Sequence, residues 1–361
     1  MSTSTQQQST GSDAPITSSH PGGHRTLPSW AVWAVFAAAA VVAALIGVAT
    51  SWNIVLFVIY TVVLGTLATY VVSRVVEGPR KATDRLVTCL VVSAFGIALV
   101  PLLSLVYEVV RRGATRFDGE FFGASLVGII GEGGGAYHAL MGTLIITLLT
   151  TLISVPIGLM TAIYLVEYGS GRLKRAITFL VDVMTGIPSI VAGLFAYALF
   201  VLAFGPGVRL GIMGAIALSV LMIPVVVRSS EEVLKLVPNE LREAAYALGV
   251  PKWRTILKVV IPTAIAGLGT GVTLAIARVV GETAPLLITV GITNATNFDP
   301  FDGRMATLPV YAYYQLIQPG VPPEFAIDRA WTAALLLIML VMALNVVARL
   351  ISRFFAPKTG R

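Results

Sequence analysis

Charged residues are scarce in this sequence of 361 residues: Asp, Glu, Lys and Arg make up only 12% of it, whereas 56% of the residues are hydrophobic. Ordinary soluble domains contain about 25% charged residues, so this shortage excludes that class of protein. The mean hydropathy of +0.86 indicates an integral membrane protein. The net charge of +7 does not call for a nucleic acid, because anionic lipids of the inner leaflet already attract basic loops.

Other absences exclude several kinds of chemistry. The single cysteine, Cys89, rules out a disulfide within the chain. No Gly-Lys dipeptide occurs, so there is no GxxxxGK[ST] loop to hold the phosphates of a nucleotide. His20 and His24 have a metal-like spacing, but the Pro-Gly-Gly between them prevents a helix from aligning them. We therefore predict no enzymatic activity, no cofactor and no metal site, and any ATP must be hydrolysed on another polypeptide.

Long apolar runs are what the sequence has in abundance. A bilayer core of about 30 Å requires about 20 apolar helical residues, and the runs are apolar on every side, unlike the alternating strands of a membrane barrel. We predict an all-α integral membrane protein with eight transmembrane helices, at approximately residues 30–50, 54–73, 86–110, 139–166, 176–203, 212–227, 264–290 and 330–350. Residues 1–29, rich in Ser, Thr, Gln and Gly, are predicted to form a disordered tail.

The basic residues predict an orientation. Most Lys and Arg residues fall in alternate loops, around residues 74–85, 172–175 and 228–258, and after residue 348. By the positive-inside rule these loops are cytoplasmic, and so are both termini. Arg111, Arg112 and Arg116 oppose the rule, which makes their loop the weakest part of the predicted topology.

Residues 228–262 form a charged loop between two predicted spans. The loop contains helix signals: Asn239 is a plausible N-cap, apolar residues recur every three or four positions to Leu248, and Gly249 provides a stop. A second helix is expected from about Lys252 towards Pro262. This pattern is compatible with a helix lying on lipid or with a docking surface for a partner protein.

The residues of the first loop helix favour docking. Ala244 and Ala245 would allow a partner backbone to approach closely, and Glu243 offers a carboxylate to a partner arginine. The spacing of Glu243-Ala244-Ala245, Gly249 and the later Ile-Pro pair resembles the EAA loop by which permeases of bacterial ABC importers engage their ATPase subunits. The resemblance implies that Glu243, Ala244, Ala245 and Gly249 belong to a helix that couples the permease to the ATPases.

Arg278 and Glu282 are the ionisable pair placed well inside a predicted span. An arginine there costs at least about 2.5 to 3.5 kcal/mol, so it should face the protein interior or a water-filled path. Glu282 has the spacing of an ion pair partner, while Gly281 and Pro285 favour a kink or break. A guanidinium can bind an oxyanion through two parallel hydrogen bonds. From the residues alone, both an oxyanion path and a purely structural ion pair remain open.

The segment around this pair, residues 277–287, strongly resembles the signature of phosphate importer permeases of the PstA type, as does the Gly-Ile-Pro-Ser segment of residues 186–195. The resemblance implies a bacterial inner-membrane permease that forms a phosphate path with a sister permease. It also implies an ATPase dimer and an extracytoplasmic phosphate-binding protein as partners. Within that path it places Arg278, with Glu282 and Thr283 beside it.

The same resemblance implies a domain organisation. Residues 82–356 would form a permease domain with the six-helix core of a type I ABC importer, and residues 228–262 its coupling loop. The two helices of residues 30–76 are additional to the family pattern and are predicted to form an accessory hairpin. The alternatives are the sister permease, a permease for sulfate or molybdate, and a secondary transporter that needs no ATPase.

Overall fold

A computed structural model describes residues 27–28, 30–50 and 53–355 of the chain. Most of the predicted tail, residues 1–29, lies outside these ranges, and its disorder stays a prediction. The described residues form helices and no strand. The helices are α1 (Ala31–Thr50), α2 (Ile54–Val76), α3 (Pro79–Gly113), α4 (Gly119–Gly123), α5 (Tyr137–Ile163), α6 (Gly171–Thr185), α7 (Ser189–Phe204), α8 (Gly211–Lys235), α9 (Asn239–Ala247), α10 (Lys252–Thr255), α11 (Ile261–Val280), α12 (Ala284–Thr289), α13 (Leu308–Ile317) and α14 (Glu324–Phe355).

Seven helices in the described ranges are long and apolar enough to cross a membrane, and the count reaches eight if the bent pair α6 and α7 is one span. This agrees with the predicted number of spans. The predicted segment 176–203, however, is not one straight helix, because α6 and α7 meet at an angle of 107°. The break falls at Gly186-Ile187-Pro188, where proline cannot donate the backbone hydrogen bond that would continue α6.

The chain packs into two compact units, divided after Leu105. In the first unit, α1 and α2 form the predicted hairpin. They approach closely at Gly65, where a β-carbon would lie 2.7 Å from the Phe36 ring. Most of their other large apolar side chains are exposed on the chain, as expected for helices that face lipid.

A buried carboxylate organises the end of this hairpin. Glu77, directly after α2, accepts hydrogen bonds from Arg85 Nε at 2.7 Å and from Arg85 Nη2 at 2.9 Å. It also accepts bonds from Ser73 Oγ at 2.7 Å and from the Leu27 backbone at 2.8 Å. One side chain therefore joins the residues before α1, the last turn of α2 and the first part of α3.

The second unit is built around α5, α8 and α11, with α14 packed against α11. Small residues permit the close contact of α11 with α8: a β-carbon at Gly267 would lie 2.6 Å from Val233 Cγ1, and one at Gly271 would lie 2.8 Å from Ser229 Oγ. Small residues at four-residue spacing thus serve the packing of two membrane helices. The three helices enclose an apolar core whose buried members include Ile146, Leu218, Met222, Val226, Ala275 and Val279.

Candidate functional site

The predicted loop helix is present as α9, and its ends show how the sequence forms it. Pro238 precedes the helix, and Asn239 is its first residue, so the expectation that Asn239 acts as N-cap is wrong. Gly249 adopts a φ of +75°, the left-handed conformation that commonly ends a helix. Its backbone N–H donates to Tyr246 O at 2.9 Å, which satisfies one of the last carbonyls of α9.

The four residues of the EAA-like pattern divide into two groups. Glu243, Ala244 and Gly249 are exposed, whereas Ala245 is buried. The inward residue packs the helix against the rest of the loop, and the outward residues form a surface with a carboxylate and little side-chain bulk. Leu248, which is 83% exposed, adds an apolar contact next to them. This is a surface that a second protein can bind closely.

Arg242, on the inner side of α9, fixes this helix to the transmembrane core. Its Nη2 donates to Glu167 Oε1 at 2.8 Å and to Leu234 O at 3.0 Å, and its Nη1 donates to Val237 O at 2.6 Å. Both charged side chains are nearly buried, with 11% of Arg242 and 5% of Glu167 exposed. A single guanidinium therefore joins α9, the end of α8 and the segment that follows α5.

Helix α10 is attached to the same place. The Lys252 ammonium lies 5.1 Å from the centre of the Tyr168 ring, which belongs to the π-helical turn Tyr164–Tyr168 after α5. A second π-helical turn, Ile256–Val260, joins α10 to α11. Pro262 follows this turn. Because proline has no backbone N–H, it cannot donate to the carbonyl four residues earlier, and the wider π-helical turn accommodates this missing hydrogen bond.

Beneath the loop, the ends of three long helices share an apolar cluster that includes Ala162, Leu234, Val260 and Ala264. These residues belong to the ends of α5 and α8, to the π-helical turn before α11 and to the start of α11, so the cluster packs the loop-side ends of the three helices against one another. The geometry suits the transmission of a movement from the loop to the membrane-embedded core.

Arg278 lies three residues before Gly281, at the end of α11 far from the loop. It is exposed on this chain and continues a face of α11 on which Thr270 and Leu274 are also exposed. In the described part of the chain it has neither an ion pair nor a side-chain hydrogen bond. A guanidinium exposed to lipid costs about 2.5 to 3.5 kcal/mol at a helix centre and less near a helix end such as this one, so a polar neighbour outside the chain or a water-filled path would favour this position of Arg278.

The predicted break next to Arg278 is present, and it changes the role of Glu282. Helix α11 ends at Val280 with Gly281 as its C-cap, and α12 begins only at Ala284. Glu282 and Thr283 lie in this break and are half-buried. No ion pair joins Arg278 to Glu282 within the described residues, because the four-residue spacing brings side chains together only on a continuous helix. The expected pair is thus wrong for this conformation.

Helix α12 is wedged between its neighbours. A β-carbon at Gly193 of α7 would lie 2.7 Å from Pro285 Cα, so only glycine allows α7 to lie this close to the first turn of α12. At the other end of α12, Arg209 Nη1 donates to Leu287 O at 3.0 Å. The segment of residues 186–195 and the segment of residues 277–287, noted separately in the sequence, therefore pack against each other.

A further ionic network lies near the loop. Arg228 of α8 pairs with Asp182 of α6 and, through Nη1, with Glu231 Oε2 at 2.9 Å. Glu231 in turn accepts from Lys235 Nζ at 2.7 Å. The network ties α6, the half of the bent pair that precedes Gly186, to α8.

Sequence reasoning missed the partnership of Arg242 with Glu167 and the position of Arg209. Glu167 is 75 residues away from Arg242, and no local pattern connects them. The helical spacing of α9 could have indicated the role of Arg242, because adjacent residues of a helix point in different directions and an exposed Glu243 places Arg242 on the inward side. Arg209 had no signal beyond being a basic residue on the side opposite the loop.

Comparisons with known proteins agree with this architecture. Residues 154–361, more than half of the chain, match the model of the family described as binding-protein-dependent transport system inner membrane component. A relative from Mycobacterium leprae, named phosphate transport system permease protein PstA, is 49% identical over 76% of this chain and 90% of its own length. The protein named PstA 1 in Mycobacterium tuberculosis is 46% identical over 81% of this chain and 94% of its own length.

Among solved structures, a bacterial ABC transporter involved in the import of alginate is similar in fold. Its TM-score is 0.54 at 13% identity, over 75% of this chain and 96% of that one. Together, the helical architecture, the family match and the identity to these relatives lead to one assignment. The chain belongs to the binding-protein-dependent transport system inner membrane components, in the group of permeases named PstA.

Proposed function

We propose that this chain is the membrane-spanning permease subunit of an ATP-driven importer of inorganic phosphate. The observation that carries the proposal is Arg278, an unpaired guanidinium exposed on one face of α11 beside a broken helix. Its planar group can hold a tetrahedral oxyanion through two parallel hydrogen bonds. The names of the two mycobacterial relatives support phosphate as that oxyanion.

The face of α11 that carries Arg278 is the proposed translocation surface. A sister permease would cover it and enclose a path between the two chains, past Arg278, Glu282 and Thr283. The exposed residues Glu243, Ala244 and Gly249 would contact an ATPase subunit on the cytoplasmic side, with Ala245 packing α9 from within. A binding protein on the opposite side would deliver the anion. Both termini would then be cytoplasmic, as the basic loops predict.

The proposed mechanism is alternating access. Closure of an ATPase dimer would move α9 and α10, and the Arg242 contacts and the shared apolar cluster would transmit that movement to α5, α8 and α11. The break at Gly281 would allow Arg278 to change the side from which an anion reaches it. We propose that residues 30–76 take no part in this chemistry, because α1 and α2 carry one charged residue, Arg74, in the last turn of α2. They would be an accessory hairpin added to the permease domain 82–356.

The decisive test is uptake of labelled phosphate by the reconstituted assembly with Arg278→Ala. Loss of a charge-assisted hydrogen-bond pair costs about 1.5 to 3 kcal/mol or more, so we expect uptake to fall by at least about tenfold while the complex still assembles. Arg111→Gln removes an exposed arginine outside the path and should leave uptake unchanged. Normal uptake in Arg278→Ala would remove this residue from the path.

Substrate competition separates the remaining candidates. Phosphate should displace labelled phosphate far better than sulfate or molybdate, and preferential uptake of either of those anions would reassign the substrate. Accumulation by the chain alone, without an ATPase, would instead indicate a secondary transporter.

A further inference from the structure

Two arginine side chains converge on one glycine at the end of α12. Gly291 follows this helix with a φ of +69°. A β-carbon built there would lie 2.9 Å from Arg209 Cδ and 3.4 Å from Arg304 Cδ. The absence of a side chain at Gly291 therefore leaves room for the stems of two cationic residues that are 95 positions apart in the sequence.

No carboxylate neutralises this pair in the described part of the chain. Arg209 Nη1 donates to Leu287 O, and the remaining N–H groups of Arg209 have no acceptor among the described residues. Arg304 is exposed, and its side chain forms neither a hydrogen bond nor an ion pair with a described residue. Asp299 and Asp302 are close in sequence but lie beyond ion pair distance, and Asp299 Oδ1 already accepts from the Phe301 backbone at 2.8 Å.

The backbone around the two arginines is held in place. Asn297 Nδ2 donates to Asp302 O at 2.7 Å and to Arg304 O at 3.0 Å, which closes the loop that carries Arg304. The Ile212 backbone N–H donates to Pro300 O at 2.8 Å and joins this loop to the start of α8, three residues after Arg209. The proximity of the two cations is thus imposed by the fold.

The pair lies on the side of the molecule opposite the coupling loop. Arg209 directly precedes α8, whose 25 residues end at Lys235 next to the loop. At 1.5 Å per residue α8 is about 37 Å long, enough to separate its two ends by a full bilayer. In the sequence, α12 lies between Arg278 and Gly291: Arg278 is six residues before the helix, and Gly291 is two residues after it. The pair and Arg278 therefore flank the same short helix on the side of the molecule opposite the loop.

Two arginines whose stems lie side by side without a neutralising acid favour the binding of a doubly charged oxyanion, because each planar guanidinium can donate two hydrogen bonds and the anion cancels the repulsion between the two charges. We propose that Arg209 and Arg304 form an oxyanion-binding site at the extracytoplasmic mouth of the permease, which receives phosphate before it reaches Arg278. The choice of phosphate as the anion depends on the proposed function. The site itself follows from the two side chains and Gly291.

The test uses the purified permease and ATPase complex without binding protein, in an Arg278→Ala background that removes the other anion-binding arginine. Binding of inorganic phosphate is followed by broadening of its ³¹P resonance. Adding Arg209→Gln or Arg304→Gln should weaken binding by about tenfold each, since each removes a charge-assisted fork. Adding both should abolish the broadening. Glutamine at residue 209 removes the charge and keeps a polar N–H donor on an uncharged side chain.

Arg111→Gln in the same background is the matched control, because it removes an exposed arginine without touching Gly291. Unchanged phosphate binding in the double glutamine variant, or no binding before those changes, would overturn the proposal. So would a variant that keeps phosphate binding but no longer retains the binding protein, since the pair would then recognise a protein carboxylate. These results leave the proposed function intact, because that function is tested separately by the uptake and competition experiments on the wild-type assembly.

Discussion

At the scale of single residues, Arg242 attaches α9 to the membrane-embedded helices. It binds Glu167 and also donates to backbone carbonyls of Leu234 and Val237 at the end of α8. The carboxylate balances the charge, and the carbonyls fix the direction of the guanidinium. Its neighbour Glu243 is exposed. Two adjacent charged residues of α9 therefore point in opposite directions, Arg242 into the permease and Glu243 to its surface.

We predict that Arg242→Met separates ATP hydrolysis from transport. Removing one partner of a buried pair leaves an uncompensated charge and costs about 3 to 5 kcal/mol. Without this attachment, α9 can still bind the ATPase but no longer moves α8. In the reconstituted complex, ATP hydrolysis should continue while uptake falls by at least about tenfold, a loss of more than about 1.4 kcal/mol in coupling.

The double exchange Glu167→Arg with Arg242→Glu distinguishes this role from a simple ion pair. A carboxylate at residue 242 cannot donate to Leu234 O or Val237 O, so we expect the exchange not to restore uptake. Full restoration would show that charge balance alone is sufficient. Arg242→Lys, which keeps the charge but loses the planar fork, should have intermediate uptake.

At the scale of helices and their junctions, the apolar runs predict most of the spans but not the full effect of two changes in chain direction, one between α6 and α7 and one between α11 and α12. Hydropathy gives the length of an apolar run but not the position at which the helix axis turns. For this reason it predicts residues 176–203 as one span. The turn at Pro188 was visible as a Gly-Ile-Pro pattern. The break at Gly281 was predicted from Gly281 and Pro285, yet its consequence for the Arg278–Glu282 pair was not.

The junction of α2 and α3 allows a prediction about pH. The hydrogen bonds from Arg85, more than any other contact, lower the pKa of Glu77 from 4.5 to about 2. A carboxyl group with a lowered pKa stabilises the fold above its unfolded pKa of 4.5, and this stabilisation is lost as the pH falls from there towards 2. We expect Glu77→Gln to lower the thermal midpoint of the purified protein at pH 7.

The difference in midpoint between wild type and Glu77→Gln should shrink as the pH decreases below about 4.5, the pH range in which the wild type itself loses the contribution of the carboxylate. Asp84→Asn is the control, because Asp84 is exposed near the start of the same helix and forms no ion pair within the described residues. A midpoint difference independent of pH would contradict the role assigned to the Glu77 charge.

At the scale of the whole molecule, the chain is an incomplete transporter. Its exposed α11 face and exposed α9 surface both lack partners within the described residues. Sequence could identify the α9 surface because the small residues and the carboxylate are local in the chain. It could not identify the Arg242 attachment or the convergence of Arg209 and Arg304, since those contacts join residues that only the fold brings together.

We predict that Glu243→Arg prevents stable association with the ATPase subunits, because it replaces the exposed carboxylate of α9 with a charge that repels a partner arginine. Co-purification of the ATPase from detergent-solubilised membranes measures this directly. Asp84→Arg, an equal change of charge at an exposed position outside α9, should retain the ATPase. If Glu243→Arg also retained it, the α9 surface would not be the docking site.

The contact of Gly193 with Pro285 limits how the permease can change shape. With no space for even a methyl group between them, α7 and the first turn of α12 cannot come closer together. Any reorientation that turns the segment beside Arg278 towards α7 must therefore displace α7 as well.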